Sequence, residues 1–257
     1  MLREGDLLYL LDEQGRRHWM TLGREMIKIQ GLGVIDGSRV LELECGDALE
    51  IARKRFIILK PGIPELMDSL ERGAQIITPK DAETIVFRLS ISCGDKVLEG
   101  GVGSGAMTLA LLHAVGRSGK VISIEMREDF SKRARRNIER AGLSESWELM
   151  LGDVRELTSS IEVDAVVLDI PDPWMSIDSI ARCLRPGGRF CAYVPNSNQV
   201  ETTVKALREK GFVEVYALEN LQRGVEVHEG GVRPSFEMLG HTGYLIFARI
   251  SSLGKDE

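Results

Sequence analysis

Apolar positions along this chain fall into two regimes. Up to about residue 60 they form short runs with turn residues between them: Asp6–Leu11, the turn Asp12–Gly15, Arg16–Leu22 and later Arg39–Leu43. Runs of that length and spacing predict a small all-β module. Lys60–Pro64 then interrupts the pattern with two prolines and a glycine, which suits a boundary between residues 1–63 and 64–257. From Thr78 onward, runs that read as buried strands (Lys96–Glu99, Lys120–Ile124, Glu148–Leu151, Asp164–Asp169, Arg189–Val194) alternate with helical stretches at 104–115, 127–141, 174–185 and 197–210. This alternation predicts right-handed βαβ units on a mostly parallel sheet, an α/β fold. Phe212–Leu218, Arg223–His228 and Tyr244–Arg249 follow with little helix between them, which predicts an antiparallel edge.

Composition narrows the class. The chain has 257 residues, 43% apolar and 28% charged, which excludes a mainly disordered or collagen-like polymer. The longest nearly uncharged apolar run, Gly105–Gly116, is 12 residues and contains His113, against the about 20 needed to span a bilayer. Acids near the N-terminus replace the basic region of a secretory signal, so a cytoplasmic location and no membrane partner are expected. A net charge of −6 excludes holding nucleic acid by bulk charge, so any such contact must be a local patch. Cys45, Cys93, Cys183 and Cys191 lack the close spacing of a zinc or redox motif; free, mostly buried thiols and no metal are expected.

The first α/β strand runs into a glycine-rich turn that opens a helix, within Val97–Thr108. Gly100, Gly101, Gly103 and Gly105 permit positive φ and let a ligand approach the backbone without meeting a Cβ. Free amides at the start of the following helix then face that ligand. Gly101–Ala106 also satisfies the dinucleotide pattern, with alanine in the third glycine's place. Glu125 ends the next strand, 20 residues after Gly105, where its carboxylate could accept from both hydroxyls of a ribose. These features point to a ligand carrying adenosine, either NAD or S-adenosylmethionine, although a tight structural connection would look the same. Asp153 falls where an adenine amino group would reach, or serves as a helix N-cap. Acids thus follow four successive strands, at Glu99, Glu125, Asp153 and Asp169, on the edge where open α/β sheets bind ligands.

Asp169–Trp174, Asp-Ile-Pro-Asp-Pro-Trp, follows a fully apolar strand, and its prolines stiffen the chain past the rim. A fixed carboxylate beside a sulfonium suits chemistry on an amine. If adenine N1 attacks the methyl group, Asp169 could accept from the exocyclic amine and stabilise the developing charge. Asp172 is the weaker candidate. Alternatively, Asp169 caps the following helix and Trp174 anchors the core. Hydride transfer would need a His or Tyr beside a nicotinamide. The four histidines are His18, His113, His228 and His241, and His113 reads as a core residue of an apolar helix.

Six segments together resemble the TrmI family, the tRNA (adenine-58-N1)-methyltransferases of archaea and bacteria: Arg72–Asp81, Leu98–Thr108, Ser123–Asp129, Leu168–Trp174, Tyr193–Val200 and Gly240–Leu245. The resemblance covers nearly the whole chain, and the first, fourth and last segments are its most specific parts. It implies a small N-terminal β domain, a Rossmann-like class I methyltransferase domain, S-adenosylmethionine as donor, and a homotetramer that holds tRNA across subunits. By motif, Glu99, Gly101, Gly103, Ser104, Gly105, Ala106, Met107, Glu125, Asp153, Val154 and Asp169 would line the cofactor site, with Ile77 closing over it and Asp169 as the catalytic carboxylate. Thr78 stands where several relatives carry Tyr or His, so stacking on the target base by that side chain is unavailable.

A T-loop adenine must leave its stack before N1 meets the methyl group, at a cost of roughly a few kcal/mol that phosphate contacts would offset. Candidate contacts are Arg53, Lys54 and Arg55 and the basic stretch Arg127–Arg140; each also reads as a solvated face. Pro171, and the Arg233–His241 segment with both its terminal residues, resemble the family's surroundings of the base; the segment also reads as an interface or hairpin loop. Methylation of adenine 58, with 57 as a possible second target, therefore stands beside two alternatives: an NAD-dependent oxidoreductase, and a non-catalytic tRNA-binding subunit. An intact glycine loop and Asp169 argue against the last.

Overall fold

The computed structural model describes residues 1–71, 76–158 and 161–252, and the chain divides into two compact units. Residues 1–69 with 140–142 form one; 70–139 and 143 onward form the other.

The first unit contains β1 (Leu7–Leu11), β2 (Arg17–Thr21), β3 (Met26–Ile29), β4 (Gly33–Asp36), α1 (Gly37–Leu41), β5 (Ala48–Ile51), β6 (Lys54–Leu59) and α2 (Ile63–Asp68). Four of the strands make an antiparallel sheet in the order β2-β1-β6-β5, and β3 pairs with β4. The turn at Asp12–Gly15 forms because the Asp12 carboxylate accepts from the Gln14 and Arg16 amides. Leu8, Leu10, Phe56 and Ile58 alternate along β1 and β6 into one core, each of them almost fully buried. The Arg39–Leu43 run does not form the strand expected of it. Asp36 accepts from the Ser38 amide at 3.0 Å and so caps a short helix, which buries Val40. Between β5 and β6 the hairpin turns through Ala52 and Arg53, both at positive φ, which leaves Arg53, Lys54 and Arg55 exposed.

The second unit comprises α3 (Pro79–Arg88), β7 (Lys96–Gly100), α4 (Ala106–Val115), β8 (Lys120–Glu125), α5 (Glu128–Arg140), β9 (Trp147–Leu151), α6 (Val154–Leu157), β10 (Val163–Leu168), α7 (Ile177–Cys183), β11 (Leu184–Val194), α8 (Ser197–Glu209), β12 (Phe212–Glu219), β13 (Val225–His228), β14 (Gly231–Pro234) and β15 (Tyr244–Ile250). Seven strands form one sheet in the order β12-β15-β11-β10-β7-β8-β9. The five strands from β11 to β9 are mutually parallel, and β15 and β12 make the antiparallel edge read from the sequence. Central strands read as continuous apolar runs because helices cover both faces; Val166, Val167 and Leu168 have no exposed surface.

Four further expectations change. The 223–228 run is not part of the edge: its strand pairs only with β14, in a separate hairpin. The 174–185 helix is shorter than read, because Pro173 opens a 3-10 turn to Ser176 and Leu184 already belongs to β11. His113 is exposed in the last turn of α4 rather than buried. Only two of the thiols are buried, Cys183 and Cys191; Cys45 and Cys93 are exposed. Among the described residues no helix is long and apolar enough to cross a membrane.

Candidate active site

From β7 the chain crosses to β8 on one side, and it later returns as β10 on the other, so β7 sits at the point where strand order reverses. Its last residue, Gly100, is in register with Leu168 and Ile124. Two hydrogen bonds carry the pairing past the strand ends. Gly101 N–H donates to the Ile124 carbonyl at 2.9 Å, and Asp169 N–H donates to the Gly100 carbonyl at 2.8 Å. The glycine turn and the segment at Asp169 are thereby held against each other.

A cleft of about 640 Å³ opens beyond these strand ends. Gly101, Gly103, Glu125, Asp153, Val154, Asp169 and Pro171 all border it. Gly103 lies at φ +56°, and a Cβ built there meets no atom within 4 Å, so this backbone faces open space. The other candidates support the cleft without bordering it. Gly105, at φ +88°, begins α4, and Ala106 and Met107 are buried in that helix's first turn. Ser104 is buried, its carbonyl accepting from Asn137 at 2.9 Å while its hydroxyl has no partner among the described residues. Ile77 is buried away from the cleft wall, and residues 72–75 of the Arg72–Asp81 motif lie outside the described residues.

Glu99 lies beneath the floor, 1% exposed. Its Oε2 accepts from the hydroxyls of Thr108 at 2.7 Å and Ser123 at 2.5 Å, and Trp147 Nε1–H donates to Ser123 Oγ, so the carboxylate's orientation is fixed. Oε1 has no partner. Burial pushes the pKa of Glu99 up to about 7; the two hydroxyls oppose this, and the charges of Asp169 and Glu125 add to it.

Glu125 ends β8 with its side chain turned under the glycine loop. Oε2 accepts from the amides of Val102 at 3.0 Å and Gly103 at 3.2 Å, and Oε1 from Arg127 N–H at 3.0 Å. A carboxylate has about four acceptor positions, so roughly one remains. Gripping both hydroxyls of a ribose therefore requires Glu125 to release one loop amide.

Asp153 caps α6 and accepts from the Arg155 amide at 2.8 Å and from the Arg155 guanidinium at both carboxylate oxygens. That guanidinium holds its carboxyl below the usual range. The N-cap reading of Asp153 and its place on the cleft wall hold together, since one residue does both. Asp169 caps no helix: Asp172 precedes the 3-10 turn and Ser176 precedes α7. No described residue donates to the Asp169 carboxylate. Enclosure by the cleft walls pushes its pKa up toward about 7, with the Glu125 charge adding. Its surface is nevertheless open to water through the cleft, so this push is weaker than the one on Glu99.

The base-side candidates separate. Pro171 borders the cleft, and its carbonyl accepts from Gln199 Nε2–H at 2.7 Å. Thr78 is turned away, its hydroxyl donating to Asp81 Oδ2 at 2.8 Å. Arg233 lies on the β13–β14 hairpin, paired with Glu226 and 4.4 Å from the Phe236 ring. His241 is outside the wall but bonds to the Pro195 carbonyl, which is part of it. Arg53, Lys54 and Arg55 belong to the first unit. Sequence reasoning missed Arg155, Tyr193, Pro195 and Gln199. A signal was available for two of them, Pro195 and Gln199: β11 ends beside β10, so residues just past Val194 had to reach the same edge.

The chain matches the model of the tRNA methyltransferase complex GCD14 subunit over residues 55–233. It is 34% identical to the tRNA (adenine(57)-N(1)/adenine(58)-N(1))-methyltransferase TrmI of Methanocaldococcus jannaschii, covering 94% of each chain. It is 33% identical to the tRNA (adenine(58)-N(1))-methyltransferase TrmI of Thermus thermophilus, over 94% of this chain and 96% of that one. Among solved structures, a SAM-dependent O-methyltransferase of Thermotoga maritima superposes with a TM-score of 0.87 at 36% identity, covering 97% and 94% of the two chains. The fold is thus shared with a solved structure that superposes nearly end to end, and the chain belongs to the GCD14/TrmI family of tRNA methyltransferases.

Proposed function

We propose that this protein transfers the methyl group of S-adenosylmethionine to N1 of adenine 58 in the T loop of tRNA, with adenine 57 as a second target. The observation that carries the reading is the Asp169 carboxylate, which borders the cleft and accepts no hydrogen bond from any described residue. It faces a space that it shares with Glu125, whose charge adds to the cost that burial puts on its own. A cation relieves that repulsion. NAD would instead bring a pyrophosphate toward the same acids, so the oxidoreductase alternative fits poorly on charge as well as on family.

The residues fit the donor. Gly103 offers backbone to open space, and Glu99 Oε1 and the Ser104 hydroxyl, which have no partner among the described residues, lie in or next to the glycine segment. Glu125 would hold the sugar, the 152–154 wall would cover the adenine, and Asp169 would face the reacting end. S-adenosylmethionine, when bound, supplies an electrophilic methyl group on a sulfonium. Adenine N1 carries no proton, so attack through its lone pair leaves the base with a positive charge shared with the exocyclic amine. Asp169 accepts a hydrogen bond from that amine, orients N1 and stabilises the charge. Its raised pKa also suits it to take a proton from the amine.

Pro171 and Gln199 stiffen the wall next to Asp169, and Arg53, Lys54, Arg55 and the exposed cations of α5 are the proposed phosphate contacts. A homotetramer is the proposed assembly. Val225, Val227, Val232 and Phe236 on and after the β13–β14 hairpin are each more than 60% exposed, an apolar surface suited to other copies of the chain. A cytoplasmic location goes with a tRNA substrate. Incubation with labelled S-adenosylmethionine and unmodified tRNA, followed by mapping of the methylated nucleoside, tests the reading. Label in N1-methyladenosine at position 58 supports it; label on an oxygen, or none on tRNA, overturns it.

A further inference from the structure

His241 stands just before β15 with both ring nitrogens engaged. Nε2 lies 2.8 Å from the Pro195 carbonyl, and Nδ1 lies 2.6 Å from Glu219 Oε1. A carbonyl only accepts, so Nε2 carries a proton; a carboxylate also only accepts, so Nδ1 carries another. Both contacts are therefore satisfied together by the imidazolium. The neighbouring Thr242 ties the same stretch of β11, because the Tyr193 hydroxyl donates to the Thr242 carbonyl. Lys80 Nζ reaches Thr242 Oγ1 at 2.7 Å, the Asn220 carbonyl at 2.7 Å and Asp81 at 2.8 Å. Tyr193 and Pro195 border the cleft together with Asp169, Pro171 and Gln199, and Gln199 donates to the Pro171 carbonyl.

We infer that His241, as an imidazolium held between Glu219 and the Pro195 carbonyl, is a positioning residue that fixes the wall of the cleft on the methyl acceptor's side. The consequence for the reaction rests on the methyltransferase reading; the state of the ring does not. The groups facing His241 are Glu219 from β12, the Tyr244 ring from β15 at 4.9 Å, and Lys80 from α3, whose charge opposes protonation but is itself paired with Asp81. The Glu219 hydrogen bond and the Pro195 carbonyl hold the imidazole pKa above its ordinary 6.5 despite Lys80. Once pH passes that raised value, a single N–H must serve two acceptors and one contact is given up. The wall then loosens while the glycine turn and Glu125 are untouched.

Two measurements on the full chain test this. In a pH titration of the ring carbons by NMR, four histidines are followed, and His241→Gln assigns the signal. The His241 signal should titrate above 6.5, and Glu219→Gln should move it down. A midpoint at or below 6.5, or one indifferent to Glu219→Gln, overturns the inference even if the protein proves to have another substrate. In kinetics at pH 7, His241→Gln should lower kcat/KM for unmodified tRNA about tenfold while S-adenosylmethionine affinity stays within about twofold. The wild type should also lose kcat/KM on an alkaline limb that His241→Gln lacks. An equal loss of donor affinity, or an unchanged alkaline limb in the variant, overturns the positioning role. Failure of the wild type to methylate any tRNA sinks the functional reading instead and leaves the ring titration to decide the rest.

Discussion

A Cβ added to Gly101 would stand 2.1 Å from the carbonyl oxygen of Asp169. The glycine turn and the proposed catalytic segment are therefore in backbone contact, and nothing larger than hydrogen fits between them. Gly101 is also at φ +82°, a region L side chains rarely adopt. Gly101→Ala should displace Asp169 from the cleft and reduce methyl transfer at least about a hundredfold, or roughly 2.7 kcal/mol. Single-turnover rates with saturating donor check it.

Gly103 makes the contrasting case. Its φ of +56° makes a side chain strained, but the added carbon would enter open space. Gly103→Ala should cost about 1 kcal/mol of stability from the backbone alone. Donor affinity should fall about tenfold or more, because the methyl intrudes where the ligand approaches. Calorimetric titration with S-adenosylmethionine against a thermal melt separates the two effects.

Removing the Asp169 charge should leave the donor site standing. Asp169→Asn should bind S-adenosylmethionine within about tenfold of wild type yet lose roughly 10²–10⁴ in kcat. Because the carboxylate is the working form and its pKa is raised, wild-type kcat should climb as pH rises through the acid limb and level off near neutrality. The variant should show no such limb in a pH series.

Glu99 predicts a pH-dependent stability. Its folded pKa of about 7 lies above the ordinary 4.5, so protonation favours the folded state. That contribution is fully present below about pH 4.5 and is lost as pH rises through about 7. Its size is at most about 3 kcal/mol. Glu99→Gln, which stays neutral, should flatten the decline in melting temperature between pH 4.5 and 8 relative to wild type. An unchanged slope would place the titration elsewhere.

The hairpin cations lend themselves to a salt test. If Arg53, Lys54 and Arg55 contact phosphates, replacing all three with Ala should weaken tRNA binding and reduce the steepness of its salt dependence by as much as about three phosphate contacts. Donor affinity should not change. Filter binding across a range of salt concentrations gives both quantities.

Particular residues show which features could be read in advance and which could not. The glycines at 101, 103 and 105 marked a turn because their lack of a Cβ is a local property, and all three take positive φ. Apolar runs gave away the central strands for the same reason, since a strand buried on both faces needs no alternation. Arg39–Leu43 misled because Asp36, just outside the run, caps a helix there. His113 misled because an apolar helix still has one side left uncovered, and which side depends on what packs against it. Arg155, Tyr193 and Gln199 escaped notice because each reaches the cleft through strand order or a side-chain partner.

The amino-acid order alone determined the alternating α/β pattern, the turn at 100–105, the acids at the strand ends and the family resemblance, because these depend on residues close together in the chain. Tertiary structure alone decided that Asp169 accepts from none of the described residues, that Glu125 spends most of its acceptor capacity on backbone amides, and that His241 lies between Glu219 and Pro195. The Glu125 contacts with Val102 and Gly103 and both His241 contacts join groups 22 to 46 residues apart in sequence, which only the packing of the strands can set.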